Sequence, residues 1–117
     1  MTLKEFKFQY ALGSISEEDL IKIAKKTTSK YILTTLSKEK DWDIKCNVAG
    51  NPNAPVEALT TLSNDKNWTV RSYVANNPSI PIEVITKLSK DKKWYVRRCL
   101  AENPSTPADI VKVLFLD

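Results

Sequence analysis

The sequence predicts an all-α solenoid of about three 26-residue helical repeats with helical caps. Three observations carry this expectation. Trp recurs at 42, 68 and 94, Asn-Pro at 51–52, 77–78 and 103–104, and a further Pro at 55, 81 and 107, always 26 residues apart. Ala49, Ala75 and Ala101 fall in the same register. A fixed period of this length marks stacked supersecondary units. With two Gly in 117 residues, the chain also has little use for the positive-φ turns that β-hairpins need.

One domain is expected at this length. It divides into an N-terminal arm and capping helix over 1–28 and repeats over 29–54, 55–80 and 81–106, with a partial repeat over 107–117. In the arm, "EFKFQYAL" alternates apolar and polar residues, which suits an extended segment, yet Leu3, Phe6 and Tyr10 also fit a helix. "SISEEDLIKIAKK" offers Ser16 as an N-cap and Glu17, Glu18 and Asp19 for the first turn. It reads as a first helix of a unit (helix A) without a second. With "SKYILTTLS" behind it, residues 14–37 read as two helices forming a cap.

In the second and third units helix A opens with Pro at its first position, where the missing N–H is harmless. In "PVEALTTLS" the residues Ala58, Leu59 and Leu62 line one face, as do Ile32, Leu33 and Leu36 before and Val84, Ile85 and Leu88 after. A polar link, "NDKN" in the second unit, leads to helix B, "WTVRSYVA". There Val70 and Val74 stand four apart and point inward, like Ile44 with Val48 and Val96 with Leu100. The following Ala is small because a neighbouring backbone comes close. Asn-Pro then ends the helix, since the residue before Pro is steered from the α region. Helices of about eight residues do not persist alone; stacking on the next unit is what each apolar stripe requires. The last segment, "PADIVKVLFLD", is a helix A without a helix B. Its Val113, Phe115 and Leu116 either fold back over the last unit or stay available to another chain.

The pattern Val-Arg-x-x-x-Ala-x-Asn-Pro-x-x-Pro, seen in "VRSYVANNPSIP" and "VRRCLAENPSTP" and one substitution weaker in "IKCNVAGNPNAP", resembles the leucine-rich repeat variant family over roughly residues 29–117. The resemblance implies a right-handed superhelix of alternating short helices, one α and one 3₁₀ or short α, without a sheet. It implies a scaffold with a binding surface and no reaction. The 26-residue unit is slightly longer than the family's usual one, and the Trp before each helix B is a departure. The Asp and Val-Arg arrangement also resembles HEAT repeats, whose superhelices bind proteins and nucleic acids.

Composition narrows the chemistry. There is no His, which removes His-based acid–base and metal sites. No Gly-rich phosphate loop or nucleophile elbow occurs. The acidic cluster at 17–19 suits a helix start, and Cys46 and Cys99 have no neighbouring base, so both read as reduced packing thiols. No enzyme activity, metal or cofactor is expected. Without an apolar leader or a span of about 20 apolar residues, a cytoplasmic protein away from membranes is expected.

The net charge of +4 is mildly basic. Residues 81–106 hold six Lys/Arg against three Asp/Glu. Lys90, Lys92, Lys93, Arg97 and Arg98 form either an anion-facing patch or an ordinary solvated face. On helix B, Trp42 with Lys45, Trp68 with Arg71 and Trp94 with Arg97 are each three apart and share a face. They make either an aromatic and cationic binding stripe or a structural one. In the structural case Arg71 and Arg97 pair, within or between units, with Asp65 and Asp91, and the Trp rings fill the groove between helices. Positions that vary between copies, such as Asp43/Thr69/Tyr95, Cys46/Ser72/Arg98 and Asn47/Tyr73/Cys99, are free of the repeat's packing demands. The candidate binding residues are therefore Trp68, Tyr73, Trp94, Tyr95, Arg97 and Arg98. The expected partner is another protein. The alternatives are a nucleic acid held by the basic helix B side of the third unit, or an enzyme blocked by shape. The chain is expected to be a monomer or to self-associate weakly through its C-terminal edge.

Overall fold

The computed structural model describes residues 1–116, and for Leu116 the backbone alone. Among the described residues there are nine α-helices and no strand: α1 Leu3–Leu12, α2 Glu17–Lys26, α3 Lys30–Leu36, α4 Trp42–Gly50, α5 Val56–Ser63, α6 Trp68–Ala75, α7 Ile82–Leu88, α8 Trp94–Glu102 and α9 Ala108–Leu116. None of them is long and apolar enough to cross a membrane. The stack measures 50 × 21 × 17 Å. One layer is made of B helices, with α2 on α4, α4 on α6 and α6 on α8; α3, α5 and α7 form the other.

Local chemistry places the helix ends. Ser16, Ser29, Asp41 and Asn67 cap α2, α3, α4 and α6 by accepting backbone N–H groups one or two positions inside the helix. Pro55 and Pro81 sit one residue earlier than expected. Each is an N-cap with extended ψ (161° and 155°), whose carbonyl accepts the first intrahelical bond. Gly13 closes α1 at φ 69°, a left-handed conformation that side-chain-bearing residues resist.

The N-terminus settles one open reading and corrects another. Residues 3–12 are helical, which settles the two alternatives there. Helix α1 lies beside α3: the Lys7 ammonium stands 4.5 Å from the Tyr31 ring centre, and the Tyr10 hydroxyl donates to Glu39. Burial first, and that hydrogen bond second, push the Tyr10 hydroxyl up to about 12. Helix α2 is the correction. It occupies the B layer, not the A layer, because Leu20 and Ala24 bury against α4. Thus α1 and α2 together make a divergent A–B pair.

The inward columns are where the period puts them. Ile44, Val48, Val70, Val74, Val96 and Leu100 are all fully buried. Ala49 and Ala75 have no exposed surface, whereas Ala101, at the end of the B layer, is half-buried. Ala75→Leu is therefore expected to overpack α6 against α8 and to lower stability by about 1–3 kcal/mol, read as a fall in the urea midpoint. An unchanged midpoint would place Ala75 on an open face. At the C-terminal end, Ile110 and Leu114 pack on the core while Val113 and Phe115 stay exposed, so α9 covers the last unit with one face only. The side chain of Leu116 lies outside the described residues.

Spacing within the B layer is fixed by a ladder of buried amides. Asn77 Nδ2 donates to Ala49 O (2.6 Å) and Asn51 O (2.9 Å), and its Oδ1 accepts from Ser79 N (2.7 Å). Asn103 repeats the pattern on Ala75 O, Asn77 O and Ser105 N. Asn51 does so on Ala24 O, Thr27 O and Asn53 N. Each amide thus hydrogen-bonds the backbone of the preceding unit and closes its own turn. In the following turn Ser79 and Ser105 add a hydroxyl bond to Pro52 O and Pro78 O.

Candidate binding surface

The links between helices A and B form one edge of the stack. Here the cations of helix B are consumed by the fold. Lys45 pairs with Asp65 at 2.5 Å. Arg71 pairs with Asp91 through Nε (2.7 Å) and Nη2 (3.1 Å). The partner is in the following unit, 20 residues on, not the acid six residues before. Arg71 does touch Asp65, through the backbone: Nη1 donates to Asp65 O at 2.8 Å. Arg97 makes the same backbone bond to Asp91 O. The side chains of Arg71 and Asp91 are only 13% and 7% exposed, so this is a nearly buried pair.

Burial alone would push the Asp91 carboxyl up. The hydrogen bond from Arg71, that from the Lys93 N–H, and the charges of Arg71 and Arg97 outweigh it and hold the group below its ordinary value. Asp91 also folds its own link, because Oδ1 accepts Lys93 N at 2.9 Å, as Asp65 accepts Asn67 N. Cys46, beneath this ladder, is a buried free thiol. Burial, reinforced by Asp43 and Asp65, pushes it up to about 11, which leaves little thiolate at neutral pH. Cys99 is also buried and free.

The Trp residues behave differently from the cations. Trp42, Trp68 and Trp94 are 52%, 39% and 56% exposed and do not fill the groove between helices. As the first residue of each helix B, each projects where the helix has not yet entered the stack. Tyr95 joins two of them: its ring lies edge-on to Trp68 at 5.6 Å and to Trp94 at 5.7 Å. Trp68, Trp94 and Tyr95 are thus one exposed cluster spanning two units.

The other candidates lie around or away from it. Arg97 is half-buried at the link. Arg98 stands on the exposed face of α8 beside Glu102, 3.6 Å away. Together with Trp94, Leu114 and Phe115 they line an open hollow of about 300 Å³ at the C-terminal edge. Tyr73 is apart. It lies five residues after Trp68, about 140° around the helix, and its ring stands over Gly50 of the preceding unit.

A larger groove, of about 870 Å³, opens between the links of the second and third units. Its walls are Ser63–Lys66 and Lys90–Lys93, with Trp68, Arg71, Lys87 and Leu88 between them. Nothing in the 26-residue period announces it, because the lysines that make it belong to columns that differ from unit to unit. Lys90, Lys92 and Lys93 stand where the second unit has Asn64, Lys66 and Asn67.

Stacked short α-helices, without strands among the described residues, carry Val-Arg in the first turn of α6 and α8 and Asn-Pro at their B–A junctions. Residues 42–67 match the leucine rich repeat variant family. The match begins with the first residue of α4, passes through α5 and ends at the cap of α6, so it covers one B–A pair of the stack. Leucine rich repeat variant units are helical repeats commonly involved in protein interactions. No curated protein and no solved structure matches the chain.

Proposed function

We propose that the chain is a non-enzymatic helical-repeat scaffold that binds another protein, in a reducing compartment where Cys46 and Cys99 stay thiols. The observation that carries this reading is the exposed cluster of Trp68, Tyr95 and Trp94. Aromatic side chains held on a rigid frame lose little entropy on contact and dominate interface energetics. The similarity to a family of interaction repeats supports it. The contact surface includes Arg97 and Arg98 beside Trp94; Tyr73 belongs to a separate face. The test is capture from the source cell by the tagged chain and by a folded Trp94→Ala variant. A protein retained by the first and lost by the second supports the reading. Equal retention by both removes the cluster from the contact.

A nucleic acid is the second reading, favoured by the lysines of the groove. It predicts nuclease-sensitive capture and a steep fall of affinity with salt.

A further inference from the structure

The groove between the second and third units holds the chain's entire charge excess. Six of the eighteen Lys/Arg line it (Lys66, Arg71, Lys87, Lys90, Lys92 and Lys93), with two of the fourteen Asp/Glu (Asp65 and Asp91). That leaves twelve of each sign elsewhere, so the rest of the molecule is neutral. The two carboxylates do not offset the lysines, because each is turned inward onto a cation, Asp65 onto Lys45 and Asp91 onto Arg71. Among the described residues no carboxylate lies within ion-pair distance of the five lysines. The groove is therefore a concave surface with five ammonium groups and no acidic partner of its own. Concave placement focuses the field on whatever enters.

We infer that this groove docks a short acidic segment, rich in Asp and Glu, of a partner protein. The inference rests on the protein-binding reading above and names the chemistry of what is bound. Three features favour carboxylates over a nucleic-acid strand. First, the charge is confined to one groove. The corresponding link of the first unit carries Lys38 and Lys40 but has Asp41 where the third has Lys93. A phosphate backbone tracking the stack gains most from charge repeated in every unit. Second, the one guanidinium at the groove is already engaged, by Asp91 and by the carbonyls of Asp65 and Lys66. No free fork there offers bidentate phosphate contact. Third, Trp68, the ring on which a base would stack, has the Lys93 ammonium over it at 4.7 Å and the Tyr95 ring packed against it in a T-shaped pair. What remains is a set of ammonium point charges. Lys87 donates to Asn64 and Ser63 and Lys93 stands over Trp68, while Lys66, Lys90 and Lys92 make no side-chain hydrogen bond among the described residues, an arrangement suited to side-chain carboxylates at varied positions.

The experiment titrates the full chain with a fluorescein-labelled octaglutamate peptide and with an oligothymidylate of equal charge, by fluorescence anisotropy at low and physiological salt. Octaglutamate is expected to bind at least as tightly as the oligonucleotide. Lys90→Gln/Lys92→Gln is expected to weaken the peptide about five- to tenfold, while Lys25→Gln/Lys26→Gln on α2 leaves it unchanged. Tighter binding of the oligonucleotide overturns the proposal in favour of nucleic acid. Equal weakening by both pairs, or no binding of octaglutamate at low salt, overturns it as well. The captured partner separates this result from the scaffold reading. If Trp94→Ala loses the partner and Lys90→Gln/Lys92→Gln keeps it, the scaffold stands and the groove is not its site.

Discussion

Asn77→Ala is expected to lower stability by about 2–4 kcal/mol, because one side chain closes three buried polar contacts at once. Its removal leaves Ala49 O, at the end of α4, without the amide donor, and Ser79 N without its acceptor. Asn51 O loses one donor and keeps another, Ala54 N. The measurement is the urea midpoint at constant m-value. A loss under about 0.5 kcal/mol, the range of ordinary surface changes, would remove the ladder from the forces that hold the units together. Asn77→Asp tests the chemistry separately from the shape. The carboxylate keeps the volume but turns an oxygen toward two carbonyl oxygens, which raises its folded-state pKa above the unfolded value of about 3.9. The added destabilisation is therefore absent below that value. It grows as pH rises through the window between the two pKa values. Asn77→Asp is expected to be closer to the parent at pH 4 than at pH 7.

Arg71→Ala carries the second large effect. Breaking a nearly buried ion pair leaves Asp91 charged, little exposed and without its guanidinium, and the expected loss is about 2–4 kcal/mol. A double-mutant cycle with Asp91→Ala is expected to show strong coupling. The same cycle with Asp65→Ala is expected to show little, since Arg71 meets only the backbone carbonyl of that residue. The reverse pattern would restore the in-unit pairing that the six-residue spacing suggested. The pair also predicts an acid response. Asp91 has its folded-state value below the ordinary 3.8. Its contribution is thus fully present above that value and is lost as pH falls through the lower folded-state one. The parent is expected to lose stability more steeply below pH 4 than Arg71→Ala does, as read from melting temperature against pH.

These pairings mark where the sequence is readable and where it stops. The core columns are legible because burial imposes the same apolar residue in every copy, and Val70, Val74, Leu59 and Leu62 are where the period puts them. Helix α2 is not legible as a B helix because its spacing slips. Ala24 precedes Ala49 by 25 residues and Thr27 precedes Asn51 by 24, and no Trp or Asn-Pro marks it. The Asn of Asn-Pro reads as a helix stop, which it is, but one dimension gives no hint that its side chain reaches across to the preceding unit. The Arg71 partner is ambiguous for a related reason. An acid stands six residues before it and another 20 after, and only the stacking distance decides between them. The candidate site divides on the same lines. Trp68, Trp94 and Tyr95 come together because Tyr95 reaches both Trp rings across the unit boundary, while Tyr73, chosen by the same variability, faces elsewhere.

The two polar contacts at each unit boundary point in opposite directions along the chain. The later unit sends an amide back, as Asn77 does to Ala49, and the earlier unit sends a cation forward, as Lys45 does to Asp65. Every interior unit therefore carries both plugs and both sockets, which gives the array a head and a tail but no inherent length. A chain in which residues 55–80 are duplicated in tandem would recreate both contacts at the new boundary without altering a residue. It is expected to fold and to lengthen the long axis by about 8–10 Å, one helix-to-helix distance, in small-angle scattering. Gaining or losing whole units would then change the reach of the molecule while leaving each boundary as it was. Unit number in this architecture is free to be set by the span of what is bound.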